Sequence, residues 1–235
     1  MNTVRFLTAV FIVVSIALNP YAADARKRVA RGVRSAPGCK SVILVNSTKG
    51  TRLYEKNAGS KILPASTVKV MTALLVMERF PLERYVTVGA RATGVQPSKV
   101  DLRPGERYKV KDLLYAVLLN SANDASIVLA EAVAGSEEKF VSLMNQRARQ
   151  LRAKDTKFAN SHGLPSGKRG QYTTAYDMYL IFRRALKYSF FRAAIQHKYK
   201  MIYSQDGRAI ALKSHNKMLF AGWEKNIYGK TGYLA

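Results

Sequence analysis

The stretch PASTVKVMTALLVMERF, residues 64–80, sets one lysine in an apolar run. From Val68 to Met77 every residue except Lys69 and Thr72 is apolar, so the run has no polar face and is predicted to form a helix buried on all sides. Lysine is seldom fully buried without a partner. Ser66 stands three residues before it, and residues three apart on a helix are neighbours, with Cβ atoms about 5–6 Å apart. Pro64 suits a helix start, which puts Ser66 in the first turn, where unpaired backbone N–H groups and the helix dipole favour negative charge. A serine there is a candidate nucleophile whose own N–H can help hold an oxyanion. It needs a base. An ordinary lysine is protonated, but burial and a neighbouring cation both lower its pKa, and a neutral Lys69 amine would serve.

Ser-x-x-Lys alone is weak evidence. Ser136 to Lys139 and Ser214 to Lys217 match it too, the first at an acidic helix start and the second after a predicted strand with no apolar helix behind it. Only Ser66 heads a buried helix. Two further pieces accompany it: Ser121-Ala-Asn123 in the short link between apolar helices predicted at 111–119 and 124–134, and Lys230-Thr231-Gly232 on a predicted last strand. The second Ser-x-Asn, Ser214 to Asn216, lies too close to that strand to fit the same order. Rival chemistries have less support. No G-x-S-x-G elbow or H-E-x-x-H zinc motif is present, and a single cysteine leaves no thiolate metal cage, so neither metal nor cofactor is expected. His162 reads as a loop-shaping residue, and His197 and His215 as surface or strand positions.

With ILPASTVKVMTALL, LLNSANDAS, FANSHGLP followed by YTTAYDM, and YGKTGY, the chain resembles the D-Ala-D-Ala carboxypeptidases. These are the low-molecular-mass penicillin-binding proteins, serine peptidases of the β-lactamase/transpeptidase-like superfamily. The resemblance runs from about Cys39 to the C-terminus. It implies an α/β (α+β) fold, an antiparallel sheet with helices packed on it and a largely helical middle region. It implies Ser66 as nucleophile, Lys69 as base, Ser121 as proton relay to the leaving amine and Asn123 as holder of the substrate amide. Lys230 and Thr231 would bind a terminal carboxylate, Gly232 would let the strand approach the ligand, and the N–H groups of Ser66 and Tyr233 would form the oxyanion hole. The implied partners are peptidoglycan stem peptides as substrate and β-lactams as covalent inhibitors. The family's sheet continues past Lys-Thr-Gly with two strands and a helix that are missing here, so a fragment is expected. An endopeptidase acting on cross-links and a non-catalytic basic envelope-binding module are the alternatives. A β-lactamase is disfavoured, since no E-x-x-L-N stretch lies between Asn123 and Lys230.

The elements that must position these residues follow from the rest of the chain. Residues 1–25 read as a secretory signal, with Arg5 ahead of an apolar run and Ala23-Asp24-Ala25 as a cleavage site, which implies export to the periplasm or cell envelope. Residues 26–38 form a basic linker, and 39–235 form the catalytic domain, helical over about 111–196. Strands are expected at 40–46, 51–56 and around 226–234, with a short extended piece at 85–92 and a hairpin turning at Asp206-Gly207. Lys plus Arg is 39 against 15 for Asp plus Glu, a net charge of +24. Export and the lack of any helix-turn-helix, zinc-finger or RNP pattern argue against nucleic acid, so anionic envelope polymers or lipid head groups are the expected partners of that charge, with generic solubility or adaptation to an environment as the alternative. Cys39 is expected to be a small buried side chain.

Overall fold

The computed structural model describes residues 12–15, 39–167, 170–222 and 227–233. Most of the segment read as a signal and all of the basic linker lie outside these residues. The exception, Ile12–Ser15, forms strand β1 parallel to β2 (Val42–Asn46), which pairs antiparallel with β3 (Thr51–Lys56). Cleavage after Ala25 would remove β1 from this sheet. A register shift between Leu44 and Val45 bends β2. Ile43 and Val45 of β2 are buried against Ala58 and against Ala175 and Tyr179 from helix α6 (Ala175–Ala185). Cys39, ahead of β2, is free and only half-buried, so the expectation of a buried thiol is not met.

The buried helix forms as its composition requires. A 3-10 turn, Ala65–Thr67, leads into α1 (Val68–Arg79), and every residue from Val68 to Val76 is buried. Ser66 therefore sits in the 3-10 turn, one step before the α-helix proper. Helix α1 ends at Phe80, whose extended backbone matches the restriction that Pro81 imposes on its predecessor. Around α1 pack α3 (Val110–Leu119), α4 (Asn123–Ala134), α5 (Glu137–Gln150) and α6. Each contributes fully buried apolar side chains, among them Leu113, Leu114, Leu129, Phe140 and Phe182. Gly135, at φ +78°, ends α4, and the Ser136 hydroxyl then caps α5 by accepting from Lys139 N–H. The Thr174 hydroxyl caps α6 by accepting from Asp177 N–H. No helix among the described residues is long and apolar enough to cross a membrane.

Two expectations are revised. The 85–92 segment splits into a strand, β4 (Tyr85–Thr87), paired with β5 (Arg107–Lys109), and a one-turn helix, α2 (Ala90–Thr93). Residues 227–233 carry no strand, because no partner strand among the described residues completes a ladder with them. The hairpin is found as expected: β6 (Tyr199–Tyr203) pairs with β7 (Ala209–Lys213), with Gly207 at φ +89° in the turn. It follows a short helix, α7 (Ser189–Ala194).

Residues 155–167 and 170–173 form a strap that packs against the turn carrying Ser66. It is bridged to itself at Lys157 and Tyr172 and to the approach of Ser66 at Ile62 and Thr173. Asp177 anchors it from α6 by accepting from Asp155 N–H and the Thr156 hydroxyl, each at 2.8 Å. The strap reaches the nucleophile turn at Gly163, where φ is +96° and a Cβ would stand 2.0 Å from the Ala65 carbonyl oxygen. Only glycine fits. Gly163→Ala is expected to cost at least about 2 kcal/mol and to lower the melting temperature by about 4–8 °C, while Gly59→Ala, in open space, should change it little. Thermal unfolding of the two variants checks this.

Candidate active site

The turn that carries Ser66 is held from within and from outside. The Thr67 hydroxyl donates to the Pro64 carbonyl, and Thr67 N–H donates to the same oxygen at 3.1 Å. Ala65, directly before Ser66, has φ +48°, a left-handed conformation unusual for a residue with a Cβ. Such strain persists only where the surroundings enforce it, here the packing of Gly163 against the Ala65 carbonyl.

Lys69 lies one turn along and is fully buried. Its Nζ is 3.2 Å from Ser66 Oγ, 2.7 Å from Asn123 Oδ1 and 2.5 Å from the His162 carbonyl oxygen. Burial drives its pKa well below the usual lysine value, the Lys230 charge lowers it further, and Asp124 opposes with a smaller upward pull. Asp124 is fully buried and accepts from the N–H groups of Val100, Leu102 and Ala125, so its charge is largely spent on backbone.

The Ser-x-Asn pair enters where α3 hands over to α4. Ser121 takes φ +58° in that link, a second left-handed residue beside the site. Its hydroxyl accepts from Lys230 Nζ at 2.9 Å. Asn123, the first residue of α4, accepts from Lys69, and its amide nitrogen donates to the Gln96 carbonyl at 2.8 Å. Both ends of its amide are thus engaged within the protein, and the residue is buried.

Lys230 is half-buried, donates also to the Thr231 carbonyl at 2.7 Å, and is lowered by burial to about 7. Gly232 also lies close to Ser66. A Cβ there would lie 3.2 Å from Ser66 N and 3.3 Å from Thr67 N. Thr231 and Tyr233 are exposed on the same stretch. The structure therefore brings Ser66, Lys69, Ser121, Asn123, Lys230 and Gly232 to one place, from three segments of the chain.

The sequence pattern did not reveal two contributions. One is the His162 carbonyl, a backbone atom that residue type cannot signal. The other is His215. Burial, the Lys230 charge and the Lys69 charge all lower its pKa, which puts it near the site. Its N–H donates to the Leu119 carbonyl, two residues before Ser121. The Ser214-His-Asn stretch next to the last motif was the one available signal. His162 itself is held neutral, lowered to about 4 mainly by burial.

The chain matches the D-alanyl-D-alanine carboxypeptidase family over residues 31–235. It belongs to that family. It is 35% identical over 189 residues to the D-alanyl-D-alanine carboxypeptidase DacF of Bacillus subtilis, covering 78% of this chain and 48% of that protein. It is 41% identical over 150 residues to DacC of Escherichia coli, covering 59% and 37%. The chain thus spans about half or less of the length of these relatives. Among solved structures, a D-alanyl-D-alanine carboxypeptidase from Mycobacterium tuberculosis superposes with a TM-score of 0.78 at 29% identity, covering 83% of this chain and 73% of the other. A variant of the Streptomyces K15 DD-transpeptidase gives 0.75 at 27% identity, covering 82% and 80%. These likenesses match the fold expected from the motifs.

The two lysines predict a pH signature. If Lys69 is the base that activates Ser66, acylation should rise with pH through its lowered pKa. If Lys230 serves as a cation, the rate should fall as pH passes about 7 and its charge is lost. The limbs belong to the coupled pair. In Lys230→Arg the alkaline limb should vanish, because a guanidinium does not deprotonate in proteins. The acylation rate of wild type and variant with a carboxylate-bearing β-lactam across pH checks both limbs.

Proposed function

We propose that the protein is a serine-type D-Ala-D-Ala carboxypeptidase that removes the terminal D-Ala of peptidoglycan stem peptides. The observation that carries this reading is the fully buried Lys69 amine, 3.2 Å from Ser66 Oγ, in a setting that favours its neutral form. Ser66 Oγ attacks the carbonyl carbon of the scissile bond and Lys69 Nζ takes its proton. The oxyanion that forms is held by the N–H groups of Ser66 and Tyr233. Ser121, tied to Lys230, relays the proton to the nitrogen of the departing D-Ala. Water then hydrolyses the ester and frees Ser66. Asn123 holds Lys69 through Oδ1 and is anchored to the Gln96 carbonyl through one N–H, which leaves its second N–H for the substrate amide.

The place of action in this proposal is the cell envelope, reached by a signal in residues 1–25. The net charge of +24 suits an anionic envelope and draws in acidic peptide. β-Lactams enter as substrate mimics that acylate the same serine. Intact-mass measurement after β-lactam treatment should show one adduct on wild type and none on Ser66→Ala. An adduct mapping to Ser136 or Ser214 would sink the assignment.

Lys230 and Thr231 decide what the site reads. A peptidase acting on a free C-terminus must recognise a carboxylate, and a charge-assisted hydrogen bond to it is worth roughly 1.5–3 kcal/mol. Wild type should cleave D-Ala-D-Ala peptides with a free C-terminus about ten- to a hundredfold faster than amidated ones, and Lys230→Ala should lose most of that preference. Equal cleavage of both peptides by wild type would point to an endopeptidase acting on cross-links instead.

A further inference from the structure

Behind Lys69 lies a buried carboxylate that the chemistry above does not use. Glu137, the first residue of α5, is turned inward rather than toward solvent. Its Oε1 accepts from Ser161 N–H at 2.9 Å and from the Ser161 hydroxyl at 2.6 Å. His162 Nε2 faces the same oxygen at 3.7 Å, and Arg91 from α2 approaches Oε2 at 3.5 Å. Arg91 spends its better contact, 2.6 Å, on neighbouring Glu138 at the surface. The carboxylate is therefore given mainly to one residue of the strap.

That residue sits one peptide from the atom that holds the base. The Ser161 carbonyl accepts from the buried Thr72 hydroxyl at 2.6 Å, and the His162 carbonyl accepts from Lys69 Nζ. The rest of the loop is locked in turn. Asn160 Oδ1 accepts from Gly163 N–H at 2.7 Å, and His162 Nδ1 accepts from Leu164 N–H at 3.2 Å. The second bond leaves Nδ1 without a proton, so in the neutral ring the N–H is at Nε2, toward Glu137.

The geometry around Lys69 shows why this matters. A neutral amine has two N–H bonds and one lone pair. Two fixed acceptors, Asn123 Oδ1 and the His162 carbonyl, take the two N–H bonds. The lone pair is then left to the third neighbour, Ser66 Oγ. If the His162 carbonyl moves, the amine can rotate and the lone pair no longer faces the proton it must remove. We infer that Glu137 is a positioning residue for the acylation step: by clamping Ser161 it fixes the His162 carbonyl and thereby aims the Lys69 lone pair at Ser66. The inference rests on the reading of Ser66 and Lys69 as nucleophile and base.

A β-lactam that binds before it reacts separates aiming from general loosening, because its pre-covalent dissociation constant and its acylation rate constant are measured apart. Glu137→Ala should lower the acylation rate constant about ten- to a hundredfold, the scale of a small misplacement of a reacting group. The dissociation constant should stay within about twofold of wild type on the same reasoning. Glu137→Gln keeps a carbonyl oxygen for Ser161 and should recover most of the rate. Should Glu137→Ala fail to fold, Glu137→Asp takes its place, since a carboxylate one methylene short cannot reach Ser161 and should show the same loss. The inference is overturned if the variant that folds acylates at the wild-type rate. It is equally overturned if binding and acylation weaken together or if Glu137→Gln is no better than Glu137→Ala. Failure of wild type itself to form an adduct would instead overturn the assignment of Ser66 and Lys69.

Discussion

The structure depends on one difficult act of burial, that of the Lys69 amine. A charged ammonium with no water around it is costly, and a protein can meet that cost with a counter-charge or by letting the group go neutral. Here no carboxylate among the described residues touches Lys69. Its neighbours are an amide oxygen, a backbone carbonyl and the Ser66 hydroxyl. Such a set satisfies an amine's hydrogen bonds without stabilising its charge strongly, and Lys230 nearby tilts the balance further toward the neutral form. A residue that would be a liability in an ordinary core is thereby given an amine poised to accept a proton.

That arrangement needs a rigid frame. The turn leading into helix α1 carries Ser66, the first turn of α1 carries Lys69, and α1 is enclosed by four other helices, so its position is set by packing on every side. Two residues with left-handed backbones, Ala65 and Ser121, stand beside the reacting groups. Each costs on the order of 1–3 kcal/mol, and close packing holds them in place. Gly163 and Gly232 are the complementary feature, two places where the absence of a side chain lets backbone reach the nucleophile turn.

The charge distribution has a similar logic. Several of the few carboxylates are engaged in internal contacts. Glu78 takes Arg147 and Arg184, Glu106 takes Arg208, Glu83 takes Lys109 and Lys111, and Asp124 and Asp177 hold backbone N–H groups. What remains outside is overwhelmingly basic. The excess positive charge is thus a long-range field over a scaffold whose negative charges serve as local fasteners, a division suited to attracting anions without disturbing the fold.

Much of this was legible in the chain of residues. An apolar run without a polar face can only be a buried helix, and a lysine within it demands an explanation; both follow from local composition. The caps at Ser136 and Thr174, the Asp206-Gly207 hairpin and the grouping of the three motifs are short-range signals of the same kind. Half-buried Cys39, the split of 85–92 into strand and helix, and the unpaired stretch at 227–233 were not legible, since burial and strand ladders depend on partners elsewhere. Nor were the contacts that give Lys69 its chemistry. Asn123 and His162 lie 54 and 93 residues from it, and the atom that His162 offers is a carbonyl that every residue possesses. Residue types and spacing determined which groups could react. Only the tertiary structure decided which acceptors surround the amine, because that depends on how the strap folds back over α1.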